Sequence, residues 1–340
     1  MTKHAWQAGA QSAEIPIAVT GVGAIIGQGI IKSLRQSGHR VRVIGVDRND
    51  NSPGPHLCDA FEKKPEAPED SQAYLDYWER IVRKHGITLI LPGLEIDMAF
   101  LNRHREFFAA LGVRLALNST RLISVTADKW NFGLALDAMG YPAIPSARPE
   151  SWADATQALG SAPLILKPLH GNGSRGIVVL KDEDDFNYWR AKSVTPWMLQ
   201  RIVGEANEEY TVGVFGLGDG RHVGPLTFRR LLSSAGNTLA AEVVQDHDVI
   251  NDATEVLCQY FQPLGPTNFQ FRVEGKHAYL LEINPRFSSS NSLRTAFGFN
   301  EAEMAIQFYL FDVEPAEPRI TAGKAWRYTE DYVIHASHSL

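Results

Sequence analysis

Apolar positions recur along this chain with two different textures, and the change between them divides it. Ile15 to Val19 is an unbroken apolar run that ends in Thr20-Gly21-Val22-Gly23-Ala24-Ile25-Ile26-Gly27-Gln28-Gly29. Helical spacing follows to Ser37, with Gly38 as the stop. Val41 to Val46 predicts a second strand closed by Asp47, Tyr74 to His85 a helix, and Thr88 to Leu91 a third strand. Strands alternating with helices predict a parallel sheet of Rossmann type over residues 15–118.

Asn118-Ser119-Thr120 reads as a boundary and a helix cap, opening a helix that carries Lys129 and stops near Gly140-Tyr141-Pro142. From Pro163 onward, short apolar runs are joined by glycine-rich turns. Leu164–Lys167, Ile177–Leu180, Met198–Ile202, Glu209–Phe215, Val223–Phe228, Asn268–Val273 and His277–Ile283 are the expected strands, with Asp248 to Phe261 a helix among them. This predicts an α+β region with largely antiparallel sheet. The expected division is a tail at 1–14, a Rossmann-like unit at 15–118, lobes at 119–199 and 200–312, and a segment at 313–340 to which the pattern assigns no element.

Composition narrows the function classes. The 340 residues, 44% of them hydrophobic, support two or three domains with a sizeable core. A net charge of -6 and a pI near 6.0 argue against nucleic acid as the main partner. Cys58 and Cys258 read as free buried thiols, which fits a reducing cytoplasm. Met1 to Glu14 holds no apolar stretch of signal-peptide type, and no apolar run reaches the roughly 20 residues of a membrane span, so no membrane partner is expected.

The candidate chemistry centres on Leu280-Leu281-Glu282-Ile283-Asn284-Pro285-Arg286. Side chains alternate along a strand, so Glu282, Asn284 and Arg286 should share one face. Two oxygen donors beside a cation suit a divalent metal and a phosphate. Asn268-Phe269-Gln270-Phe271-Arg272 pairs naturally with Tyr279–Asn284 across Glu274-Gly275-Lys276. A three-residue connection, with Val273 facing His277, would set Gln270 on the face of Glu282, whereas a two-residue turn would separate them. A shared metal site therefore predicts the three-residue connection.

Lys167-Pro168-Leu169-His170-Gly171-Asn172-Gly173-Ser174-Arg175-Gly176 offers a fixed positive charge and glycines whose amides can approach an anion; it is not a Walker A loop. An ordinary hairpin loop would share its composition. Met198 to Gly204 is an extended segment able to read an adenine edge, with Glu208 and Glu209 beyond it. Arg229-Arg230 ends a strand and could face an acyl phosphate or solvent. Ser288-Ser289-Ser290-Asn291-Ser292 begins a helix, where self-capping is the commoner role.

Taken together, Lys129, Lys167-Pro168 with Gly171–Gly176, Gln200–Glu209, Asn268/Gln270 and Glu282-Ile283-Asn284-Pro285-Arg286 resemble the ATP-grasp superfamily, in its carbamoyl-phosphate-synthase large-chain-like branch, over about residues 15–310. The resemblance implies a Rossmann-like pre-ATP-grasp unit followed by two lobes that hold ATP. It implies that Lys129 and Lys167 contact phosphates under a loop containing Gly171, Gly173, Ser174 and Gly176. Gln200, Arg201, Ile202 and Val203 would line adenine, and Glu209 would hold ribose. Gln270, Glu282 and Asn284 would ligate magnesium or manganese. Arg286 would stabilise the transferring phosphoryl group, with Lys167 and Arg230 as further catalytic cations. A large chain of that branch repeats the unit twice, and here it occurs once.

The implied reaction is ADP-forming: a small-molecule carboxylate becomes an acyl phosphate, and an amine then displaces phosphate. Two other readings compete. Gly21-Val22-Gly23 after a strand, with Asp47 about 20 residues beyond Gly27, suggests an NAD(P)-dependent oxidoreductase, although the spacing is Gly-x-Gly-x-x-x-Gly. A non-catalytic ATP-binding subunit is the third. Glu95 and Asp97, after the third strand, could hold an amino group or cap the next helix, and Arg294 could pair with an acceptor carboxylate. A homodimer is the default expectation on symmetry statistics.

Overall fold

In a computed structural model, residues 14–171, 176–205, 207–232 and 238–335 are described. Five parallel strands form the first sheet, in the order Ala60–Lys63, Val41–Asp47, Ile15–Thr20, Leu89–Leu91, Arg114–Leu115. The order reverses beside Ile15–Thr20, which places the crevice of a doubly wound sheet at the carboxyl ends of that strand and of Leu89–Leu91. Both faces are covered. Tyr74, Trp78, Phe100 and Phe108 fill one side, and the helix Ile25–Arg35 lies on the other.

The second sheet has six antiparallel strands, in the order His277–Asn284, Leu264–Glu274, Glu209–Leu217, His222–Leu232, Thr238–Val244, Lys324–Trp326. The last of these comes from the segment that sequence pattern left without an element; it pairs with Thr238–Val244 at the sheet edge. A smaller four-stranded sheet orders Ser146–Ala147, Trp197–Arg201, Leu164–Pro168 and Val178–Leu180. Its strand Trp197–Arg201 runs across the expected division at 199/200.

Side chains of the large sheet alternate between two cores, with the register shifting in three of its strand pairs. Tyr210, Val212, Val214, Phe269 and Phe271 point to one core, shared with the helix Asp248–Phe261. Phe215 and Phe228 point to the other, shared with Ile17, Val19 and the helix Glu301–Phe311. That second core welds the parallel unit to the large sheet. Asn118 reinforces the joint: its Nδ2 donates to the Pro266 carbonyl at 3.2 Å and its Oδ1 accepts from Leu264 N at 2.7 Å.

The expected single helix after Ser119 is two. Ser119 caps Thr120–Thr126 and Asp128 caps Lys129–Ala138, each accepting from a backbone N–H three residues on. An aspartate capping its own helix ends the preceding one, and so Lys129 sits in a first turn. These helices pack Leu122, Phe132 and Leu136 into the core of the large sheet, not that of the small one. Among the described residues, no helix is long and apolar enough to cross a membrane.

Gly27 sits against the Gly21 carbonyl, where a Cβ would overlap it, whereas a Cβ at Gly133 meets nothing within 4 Å. Gly27→Ala should therefore lower stability by about 1–3 kcal/mol, the usual cost of overpacking. Gly133→Ala, in the interior of a helix, should be neutral or gain about 0.5–1 kcal/mol. Denaturant titration of the two variants checks the contrast.

Candidate functional site

The three sheets converge on one cavity of about 500 Å³. Its floor is the face of the large sheet that carries Glu209, Arg230, Gln270, Glu282 and Asn284. The small sheet contributes Ile165, Lys167 and Gln200 from above, and the parallel unit contributes Ile25, Ile26, Leu94 and Glu95 at the crevice.

Gln270 stands directly opposite Glu282, and Asn268 opposite Asn284. The expected three-residue connection is not how this arises. Glu274 pairs with His277, so the turn is the two residues Gly275-Lys276, with Gly275 left-handed at φ 60°. That register alone would turn Glu282 into the Phe269 core. An extra residue, Leu281, bulges between the pairs Phe271–Leu280 and Gln270–Glu282 and reverses the alternation. Leu280 and Ile283 both face the core, while Leu281 and Glu282 both line the cavity.

Asn284 Nδ2 donates to Glu282 Oε1 at 2.9 Å, and Asn284 Oδ1 accepts from Arg286 Nη2 at 2.9 Å. Arg286 also reaches Glu95 of the parallel unit at 2.5 Å. Two amide oxygens and one carboxylate on a single face fit a hard cation that brings phosphate ligands of its own. Magnesium is held this way, through one or two carboxylates plus substrate oxygens. Among the described residues, no cluster of three His, Cys, Asp or Glu could hold a metal without such help.

Two lysines face this set. Lys167 Nζ donates to Gln200 Oε1 at 2.6 Å, and Lys129 Nζ to the Gly171 carbonyl at 2.6 Å. Burial pulls the Lys167 ammonium down to about 8, with Glu282 opposing the shift and Lys129 adding to it. Burial also lowers Lys129, against the pull of Glu282 and Glu95. Half-buried ammonium groups without full carboxylate partners are poised for an anion.

Residues 193–331 match a family described as ATP-grasp in the biosynthetic pathway with Ter operon, and residues 17–116 match the PylC-like N-terminal domain. The chain thus carries an ATP-grasp domain behind a PylC-like N-terminal domain. It is 24% identical over 307 residues to the carbamoyl phosphate synthase large chain of Methanospirillum hungatei, covering 80% of this chain and 28% of that one. The arginine-specific large chain of Bacillus subtilis is 25% identical over 299 residues, covering 82% and 28%. Thus the chain spans little more than a quarter of these relatives. In fold it is similar to N5-carboxyaminoimidazole synthetase of Staphylococcus aureus complexed with ADP (TM-score 0.71, 16% identity, 89% of this chain and 79% of that). It is also similar to biotin carboxylase of Campylobacter jejuni complexed with β-γ-ATP (TM-score 0.69, 17% identity, 91% and 74%).

Most of the ATP-grasp candidates line the cavity: Lys129, Lys167, Gly171, Gln200, Arg201, Val203, Glu209, Arg230, Gln270, Glu282, Asn284 and Arg286. Ile202 does not; it lies just past the end of its strand, Trp197–Arg201. Gly176 packs on Pro168, and Gly173 and Ser174 lie outside the described residues. Glu209 is in the cavity, but both its oxygens are engaged, by Arg230 at 2.7 Å and Arg272 at 3.1 Å.

Other expectations are corrected. Asp97 is buried in an ion pair with Lys64, away from the cavity. Arg294 is wholly buried against Glu301 and does not line it. Arg229 faces outward and pairs with Glu242 at 3.0 Å. The helix after the serines begins at Asn291 with no side-chain cap, and Ser288, Ser289 and Ser290 line the cavity instead. Asp47 Oδ2 accepts from Gly23 N at 2.8 Å and Oδ1 from Asn49 N at 3.0 Å, which engages the acid a dinucleotide ribose would need. Thr211, Leu232 and Arg272 were not singled out. Thr211 and Arg272 are alternate residues of strands already expected, so the period-2 rule could have found them, whereas Leu232 lies beyond the expected strand Val223–Phe228, which runs on to that residue.

Deleting Leu281 should close the bulge and leave Glu282 opposite Gln270 on the cavity face. The expected result is magnesium-dependent ADP binding retained by calorimetry, with far-UV circular dichroism unchanged.

Proposed function

We propose that this chain is an ADP-forming carboxylate–amine ligase working with ATP and magnesium or manganese. One observation supports it most: Glu282, Gln270 and Asn284 share a cavity with Lys129, Lys167, Arg230 and Arg286. Six cations and three carboxylates line that space, an excess of positive charge suited to a triphosphate and a further anion. The solved relatives with ADP or β-γ-ATP bound agree with a nucleotide there.

In this reading, Lys129 and Lys167 lie along the phosphates, and Gln200 to Val203 edge the base. A bound magnesium ion would supply charge neutralisation on the phosphate oxygens, held by Glu282, Gln270 and Asn284. Arg286 stands beside that set and faces the phosphoryl group as a carboxylate oxygen attacks it and ADP departs. The amine then forms the C–N bond, and inorganic phosphate leaves. Walls on three sides limit water, which would hydrolyse the acyl phosphate. The organisation argues for a small-molecule pair of substrates; the relatives' whole activities, including carbamoyl phosphate synthesis, are not carried over to a chain of this span.

ADP release with Mg-ATP, screened over amino acids and small carboxylates, tests the reaction. Glu282→Ala should reduce turnover at least a hundredfold while the melting transition persists; near-normal turnover would remove the metal role. Proton linkage provides a second check. Phosphates beside Lys167 should raise its lowered pKa, so ADP binding at pH 8.5 should take up protons. At pH 6.5 the lysine is already charged, and uptake through it should vanish. Calorimetry in buffers of different ionisation enthalpy measures this, and Lys167→Arg should abolish it.

A further inference from the structure

Arg294 lies beneath the cavity with no exposure, yet it governs two side chains that do line it. Its Nη2 donates to Asn268 Oδ1, and its Nη1 donates to Ser288 Oγ at 3.1 Å. A guanidinium can only donate, so it fixes the polarity of both partners. Asn268 Oδ1 also accepts from Thr211 Oγ1 at 2.5 Å. Its amide nitrogen must therefore point the other way, and that Nδ2 has no partner although Asn268 is 1% exposed. Ser288 Oγ accepts a second time, from Ser290 N at 3.1 Å, which leaves its own proton free to donate.

A third donor stands nearby. Arg230 is 7% exposed; its Nη2 holds Glu209 and Gln270, and its Nε is unpartnered. Leaving several buried donors unmade is costly, of order 1–3 kcal/mol each. Donors without acceptors on one wall mark the place of an oxyanion. The lysines that face Glu282 are separate from this group, being held by Gln200 and Gly171.

We propose that Asn268, Ser288 and Arg230 form the docking site of the carboxylate co-substrate, with Arg294 as the positioning residue that turns Asn268 and Ser288 into donors. This rests on the ligase reading and specifies where its carboxylate sits. The γ-phosphate is the other oxyanion that such donors could hold, and the test separates the two.

Acetate is the probe, followed by saturation-transfer NMR on the full chain with Mg-ADP or with a non-hydrolysable Mg-ATP analogue. Saturable acetate binding with both nucleotides is expected, since carboxylate and γ-phosphate must be present together for attack. Loss of acetate binding when the triphosphate analogue replaces ADP would assign the donors to the γ-phosphate and overturn the proposal. Asn268→Asp keeps the Arg294 contact but replaces the donor with a charge. It should weaken acetate at least tenfold relative to Mg-ADP, and Ser288→Ala should weaken it severalfold. The pair Arg294→Met with Glu301→Gln frees the Asn268 amide to turn, and should weaken acetate relative to Mg-ADP without changing the order of binding. Should that pair fail to fold, Asn268→Asp still decides: an unchanged acetate-to-ADP affinity ratio refutes the site. Mg-ADP failing to bind the wild-type chain would instead defeat the ligase reading itself.

Discussion

The chemistry of this protein depends on a single unpaired residue in a β-ladder. Leu281 takes no partner; paired in register, it would stand opposite Gln270 and push Glu282 into a phenylalanine core. Burying that carboxylate among apolar side chains would cost far more than a bulge does. The bulge lets one sheet serve two incompatible neighbours. Phe269, Phe271, Leu280 and Ile283 stay with the helix Asp248–Phe261, while Gln270, Glu282 and Asn284 stay with the cavity.

The parallel unit is more than a flank. Its glycines at 27 and 29 permit close approach, Gly29 meeting Asn291 of the helix that follows the strand His277–Asn284. Glu95 reaches across to Arg286, and the first turn that presents it is clamped by the buried Lys64–Asp97 pair. Breaking such a pair leaves an uncompensated charge, so it defines the helix position more firmly than the exposed pairs do.

Much of this was legible in the residues. Period-2 alternation placed the candidate face correctly in kind, and the helix Asp248–Phe261 matches to the residue. The turn was misread because alternation was assumed unbroken through Leu280-Leu281. The apolar positions Ala278, Leu280 and Ile283 carry the signal, a spacing of three where two was expected. The split helix at Asp128 was a capping aspartate read as helix interior. Arg294 could not be placed from sequence, because its partners Asn268, Thr211 and Glu301 lie on three different elements. Long-range pairs of this kind have no local pattern.

Glu209 carries a consequence for selectivity towards sugars. With one arginine on each oxygen, it has little acceptor capacity left for a neighbouring hydroxyl. A pocket that discriminates by hydrogen bonding is strict only where its polar groups lie unpaired without the cognate partner. Here the acid is already satisfied, so the absence of a neighbouring hydroxyl leaves no charge unpaired, and this carboxylate alone would not distinguish a sugar hydroxyl from hydrogen.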